Sequence, residues 1–104
     1  MNKETLVLSI DDLYLLSTFG DKSLLVSTIY IFRDIIQYLE VEYTRTRNQE
    51  ERSELRRKAF SRSWEDFKIK AGFSGVEITP HDARRFDQIS RNVISRVVEQ
   101  LSRK

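Results

Sequence analysis

Arginine is the residue type whose spacing most suggests chemistry in this 104-residue chain. Toward its C-terminal end, Arg85, Asn92, Arg96 and Arg103 recur at intervals of seven, four and seven. At about 100° per residue in a helix, these four fall within about 20° of one line. Arg84 and Arg91 make a second line roughly 100° to 140° away. The two lines give five arginines on the face opposite Phe86, Val93 and Val97, with Glu99 as the main acid among them and Asp82 and Asp87 toward the edges. From Arg85 to Arg103 the ridge would run about 27 Å at a rise of 1.5 Å per residue. A guanidinium forks onto phosphate or carboxylate, so the chemistry implied is recognition of an anion, above all a nucleic-acid backbone.

A second basic region precedes it. Arg52, Arg56 and Lys70 line one flank of an aromatic face made by Phe60, Trp64 and Phe67, and Arg57 and Lys68 line the other. Aromatics framed by bases are what a single-stranded nucleic-acid surface needs, although aromatics at helical spacing ordinarily belong to a core. The arginines also have a bland reading. Exposed helix faces are usually charged, and residues 1–43 of this same chain carry three bases against seven acids, whereas residues 44–104 carry fifteen against nine. The acidic part of the chain, or an acidic partner protein, would satisfy the basic part equally well.

Other chemistries find little support. Cysteine is absent, which removes disulfides, thiolate metal sites and Cys nucleophiles. His81 is the single histidine and has no carboxylate at metal-ligand spacing, so it reads as a solvent-facing residue of a first helical turn. The acid pairs Asp11/Asp12, Glu40/Glu42, Glu50/Glu51 and Glu65/Asp66 diverge around a helix instead of converging on one atom. Gly72 and Gly75 lack the Lys-Ser/Thr of a phosphate loop, and no serine has an evident base beside it. The expectation is a non-enzymatic protein without metal or cofactor.

The elements that must position these residues are helices. Gly is 3 and Pro is 1, too few for the many turns of an all-β fold. Ser9 with Asp12 reads as a capping box opening a helix over 10–19, with Gly20 placed to end it and Leu13, Leu16 and Phe19 facing inward. Residues 5–8 read as an extended lead-in. Leu25, Ile29, Phe32, Ile36, Leu39 and Tyr43 repeat at 4, 3, 4, 3, 4 and predict a helix over 22–46. A bend near 46–48 and the pair Asn48/Glu51 open a third helix over 49–71, with Phe60, Trp64, Phe67 and Ala71 inward. Gly72–Gly75 breaks the chain, 76–78 is extended, and Thr79-Pro80-His81-Asp82 opens a last helix over 80–102. A helix-turn-helix is disfavoured because the link before residue 80 is too long for its tight turn, and a histone-like fold because the last helix is too long.

The fold expected is all-α: a small antiparallel bundle of about four helices forming one domain over 1–104. Apolar residues of 24–43 sweep about half a helix circumference, wider than a surface helix needs. That stretch is the expected contact for a homo-oligomer or for the other subunits of a complex. The longest uncharged run, Ser23 to Phe32, is far short of a membrane span, so the setting expected is cytoplasmic. The function expected is nucleic-acid-backbone binding within a larger assembly, through Arg84, Arg85, Arg91, Arg96, Arg103, Arg52 and Arg56. The alternative is a protein–protein adaptor or regulator acting as a helical homodimer.

Overall fold

Side-chain caps decide where each helix starts. In a computed structural model describing residues 9–103, the chain forms α1 (Ile10–Ser17), α2 (Lys22–Tyr43), α3 (Gln49–Ser74) and α4 (Pro80–Ser102), with no strand among the described residues. The lead-in expected at 5–8 lies outside them. Ser9 caps α1 by a reciprocal box: the Asp12 N–H donates to Ser9 Oγ at 3.2 Å and the Ser9 N–H to Asp12 Oδ2 at 3.1 Å. Asp21 caps α2 through the Ser23 N–H, Asn48 caps α3 through the Glu51 N–H, and Thr79 caps α4 through the Asp82 N–H, with Pro80 at the first helical position. Each is a contact of two or three residues, which is why the starts of all four helices were legible in sequence.

The ends and inner faces depart more. Helix α1 stops two residues early, because the Thr18 hydroxyl and N–H both fold back onto the Leu15 carbonyl. Gly20 does not cap it; its N–H reaches across to Asp82 Oδ1 at 3.0 Å. At the start of α4, Asp82 thus gives its N–H to Thr79 and its carboxylate to Gly20. Helix α2 ends at Tyr43, where Thr44 and Thr46 donate to carbonyls of its last turn, so the turn falls at 44–48. Helix α3 runs on through Gly72 to Ser74 and ends at Gly75. There φ is 68°, and the Val76 N–H donates to the Ala71 carbonyl at 2.9 Å. Only glycine takes that left-handed geometry without a steric penalty. Leu13 points to solvent while Leu15, Leu16 and Phe19 are buried.

The core is one continuous cluster fed by every helix. Five rings form its centre: Phe19 after α1, Phe32 of α2, Trp64 and Phe67 of α3, and Phe86 of α4. Phe67 and Phe86 stack at 4.0 Å, Phe32 lies 5.4 Å from Phe86, and Phe19 lies 6.3 Å from Phe67. Such pairs add roughly 0.5–1.5 kcal/mol each beyond their burial. Cross-helix pairs fix the directions. Tyr43 meets Arg52 and Tyr38 meets Arg62, so α2 and α3 are antiparallel. Ser63 meets Ser90 and Trp64 meets Asp87, so α3 and α4 are too. Ala59, Ser63 and Ala71 are small buried residues on the α3 face, and the Ser63 and Ser90 hydroxyls are 2.8 Å apart. Larger side chains there would force these helices apart.

Most of the wide apolar arc of α2 is absorbed by this packing. Leu24, Ile31, Phe32, Ile35, Ile36 and Leu39 are buried between α3 and α4, and only Val26, Tyr30 and Val41 remain as exposed large apolar residues. The molecule measures 40 × 24 × 19 Å, its long axis set by helices of 22 to 26 residues. No helix among the described residues is long and apolar enough to cross a membrane.

Candidate functional site

The ridge expected on α4 is divided by α1. Asp12 is fully buried, and a dehydrated carboxylate must be matched by donors. Arg96 supplies them: its Nη1 lies 2.8 Å from Asp12 Oδ2, with the Arg96 side chain only 27% exposed. Asn92 Nδ2 donates to Asp12 Oδ1 at 3.4 Å, and Arg85 Nε donates to Thr18 Oγ1 at 3.1 Å. His81, exposed as expected, sets Nε2 2.9 Å from the Thr18 carbonyl. With the Gly20–Asp82 bond, these contacts run antiparallel along α1 and α4 as a polar rail. Buried Leu15, Leu16 and Phe19 complete the α1 contribution to the core. Arg85 and Arg96 thus serve the protein's own acidic segment. Arg103 is exposed at the end of α4 and pairs with Glu99 at 3.0 Å, apart from the other arginines.

The second line of α4 has a different surrounding. Arg84 and Arg91 are exposed, with Gln88 and Ser95 on the same stripe, and they face α3 across an open groove. Helix α3 contributes Arg56, Arg57, Phe60 and Trp64. Arg91 stands between two depressions, of about 530 Å³ beside Trp64 and Arg84 and about 440 Å³ beside Phe60 and Arg56. Its guanidinium carbon sits 4.7 Å from the centre of the Phe60 ring, and its Nε is 2.8 Å from Asp87 Oδ2. Trp64 Nε1 donates to the other oxygen of Asp87 at 3.3 Å, while its ring packs edge-on against Phe67 and Phe86. Phe60 and Trp64 are half-buried, and Phe67 is wholly in the core. The aromatic face read from the sequence is therefore part core and part groove floor.

Charge in the groove is unequally committed. Arg57 is bonded to Glu54, Nε to Oε1 at 3.1 Å; that bond holds the Glu54 carboxyl below the usual carboxylate range and raises Arg57 further. Arg91 shares Asp87 with Trp64. Arg56 and Arg84 have no hydrogen bond or ion pair among the described residues. Arg52, the remaining sequence candidate, is turned to the α2–α3 corner, where it covers the Tyr43 ring at 5.1 Å and donates to Thr46 Oγ1. Of the seven arginines singled out by sequence, the groove gathers Arg56, Arg84 and Arg91. It also shares Arg85 at its edge and adds Arg57, previously read only as flanking the aromatics.

Among the described residues, no group of three or more His, Cys, Asp or Glu could hold a metal ion. Comparison with protein-family models, with curated proteins and with solved structures finds no match to this chain.

Proposed function

We propose that this protein is a non-catalytic nucleic-acid-backbone binder whose contact surface is the groove between α3 and α4. The observation that carries the reading is the pair Arg56 and Arg84, two guanidiniums without a partner among the described residues that line the two depressions flanking Arg91, one on α3 and one on α4. Arg57 and Arg91 reinforce them with charges already oriented by Glu54 and Asp87. Backbone phosphate is the anion that recurs at a spacing able to meet several such groups, and contacts of this kind read charge more than sequence. A small helical subunit with such a groove fits a role as one component of a larger nucleoprotein assembly.

The test is a titration with a fluorescein-labelled mixed-sequence strand, followed by anisotropy at several salt concentrations. Three or four neutralised phosphates give a slope of log affinity against log salt of about −2 to −3 for a single strand. The double variant Arg56→Glu/Arg84→Glu should lose at least ten-fold in affinity, and Arg103→Glu should stay near the parent. Binding indifferent to salt, or unaffected by the double variant, removes the reading.

A second reading, an adaptor pairing with a copy of itself, draws on apolar residues left in solvent. Ile10, Leu13 and Tyr14 share one face of α1, and Val26, Tyr30 and Val41 lie on one stripe of α2. Sedimentation velocity over a hundred-fold range of concentration separates the two: a self-pairing adaptor sediments as a dimer without nucleic acid, a simple backbone binder as a monomer.

A further inference from the structure

We infer that the α3–α4 groove selects single-stranded nucleic acid over duplex. The inference rests on the backbone-binding reading above and concerns the form of the ligand. Two features of the surface support it.

The first is shape. A duplex presents phosphates along a broad convex cylinder and is best met by a long ridge of cations. The only such ridge in the sequence, Arg85–Asn92–Arg96–Arg103, is dismantled by α1, which engages Asn92 and Arg96 with Asp12 and Arg85 with Thr18. What remains beside α3 is a pair of local depressions on either side of Arg91, of about 530 Å³ and 440 Å³, each lined by arginine and one aromatic ring. The splayed nucleotides of a single strand can enter such hollows, whereas the rigid convex surface of a duplex meets only their rims. The stripe from Arg84 to Ser95 spans about 16 Å at 1.5 Å per residue, room for a few nucleotides.

The second is the floor. Phe60 and Trp64 are half-buried, each lining one of the two depressions with arginines beside it, and Arg91 lies over the Phe60 ring. In a duplex the bases are paired and stacked on one another, so such aromatic rings have nothing to hold. In a single strand the base faces are open to aromatic rings and to guanidinium planes. Cations on the walls with aromatic carbon beneath are complementary to a strand whose phosphates turn outward and whose bases turn down.

Trp64 is the only tryptophan in the chain and lines this groove, so a ligand seated there changes the emission of a single indole. The full chain is titrated at low salt with an unlabelled mixed-sequence 12-mer, the same 12-mer annealed to its complement, and polyglutamate, with anisotropy of labelled strand and duplex run in parallel. The strand should bind at least ten-fold more tightly than the duplex and shift or quench the Trp64 emission. Gln88→Glu, which sets a carboxylate at an exposed position between Arg84 and Arg91, should weaken the strand at least five-fold without moving the unfolding midpoint. Phe60→Leu should lower strand affinity several-fold and leave duplex affinity unchanged. Equal affinity for both forms, or a preference for duplex, overturns the single-strand inference while leaving backbone binding in place. Failure of both forms to bind, or tighter binding of polyglutamate than of either, overturns the backbone reading as well.

Discussion

On the side of α4 that faces α1, Arg85, Asn92 and Arg96 are drawn onto Thr18 and Asp12; on the side that faces α3, Arg84 and Arg91 stand at the rim of an open groove. The two sides lie about 100° apart on one helix and carry the same residue type. Their fates differ because of what is opposite. Across from Arg96 is a carboxylate removed from water, and leaving it unmatched would be costly, so the guanidinium is committed to the fold. Arg84 has no ion pair among the described residues, and its charge stays available. Arginine on a helix therefore says little about binding until the neighbour is known. The α1 side should govern stability and the α3 side should govern ligand affinity.

That division can be broken most directly at Arg96. Arg96→Ala strands Asp12 in the interior, and removing one member of a buried pair costs about 3–5 kcal/mol. Urea unfolding should show a loss at or slightly below the lower figure, because Arg96 is partly solvated. A loss under about 1 kcal/mol would mean the rail is not a real constraint on α1. Adding Asp12→Asn to Arg96→Ala should recover part of the loss, since the uncompensated charge is then gone. The middle-sized effect contrasts adjacent residues. Arg85→Ala removes one hydrogen bond to Thr18 and should cost about 1 kcal/mol. Arg84→Ala, with no partner to lose, should stay within about 0.5 kcal/mol of the parent while weakening nucleic-acid binding. Equal stability effects at 84 and 85 would erase the distinction between the two sides.

The smallest effect concerns the junction that feeds α1 into α2. The Ser23 hydroxyl and N–H hold the Asp21 carboxyl below its ordinary range. A carboxyl lowered by folding contributes stability above its unfolded range, and that contribution is lost as pH falls through the folded value. Asp21→Asn keeps a capping oxygen but cannot be protonated there. On acidification below the ordinary aspartate range, the parent Tm should fall slightly faster than that of Asp21→Asn. Parallel pH profiles would place the acid sensitivity of the fold elsewhere.

Much of the architecture was open to reading because its causes are local. Ser9/Asp12, Asn48/Glu51 and Thr79-Pro80 are each closed within three residues, and the helical repeat of α2 and α4 needs no knowledge of the partner. Rotational detail was harder. Leu13 and Leu15 differ by about 200° around a short helix, and only the position of α4 decides which is inside. Asp12 was visible as a capping residue, and the acidic balance of residues 1–43 against the basic remainder hinted at an internal partner. Nothing in the spacing pointed from Asp12 to Arg96, eighty-four positions away.

By itself, then, the order of residues determined four capped helices, their approximate lengths, one shared core and an excess of arginine in the later part of the chain. Tertiary structure decided which of those arginines are spent inside the molecule. Caps and periodicity act over three or four residues along the backbone. The availability of a charge depends on which distant carboxylate loses its water, and that is settled only when helices pack.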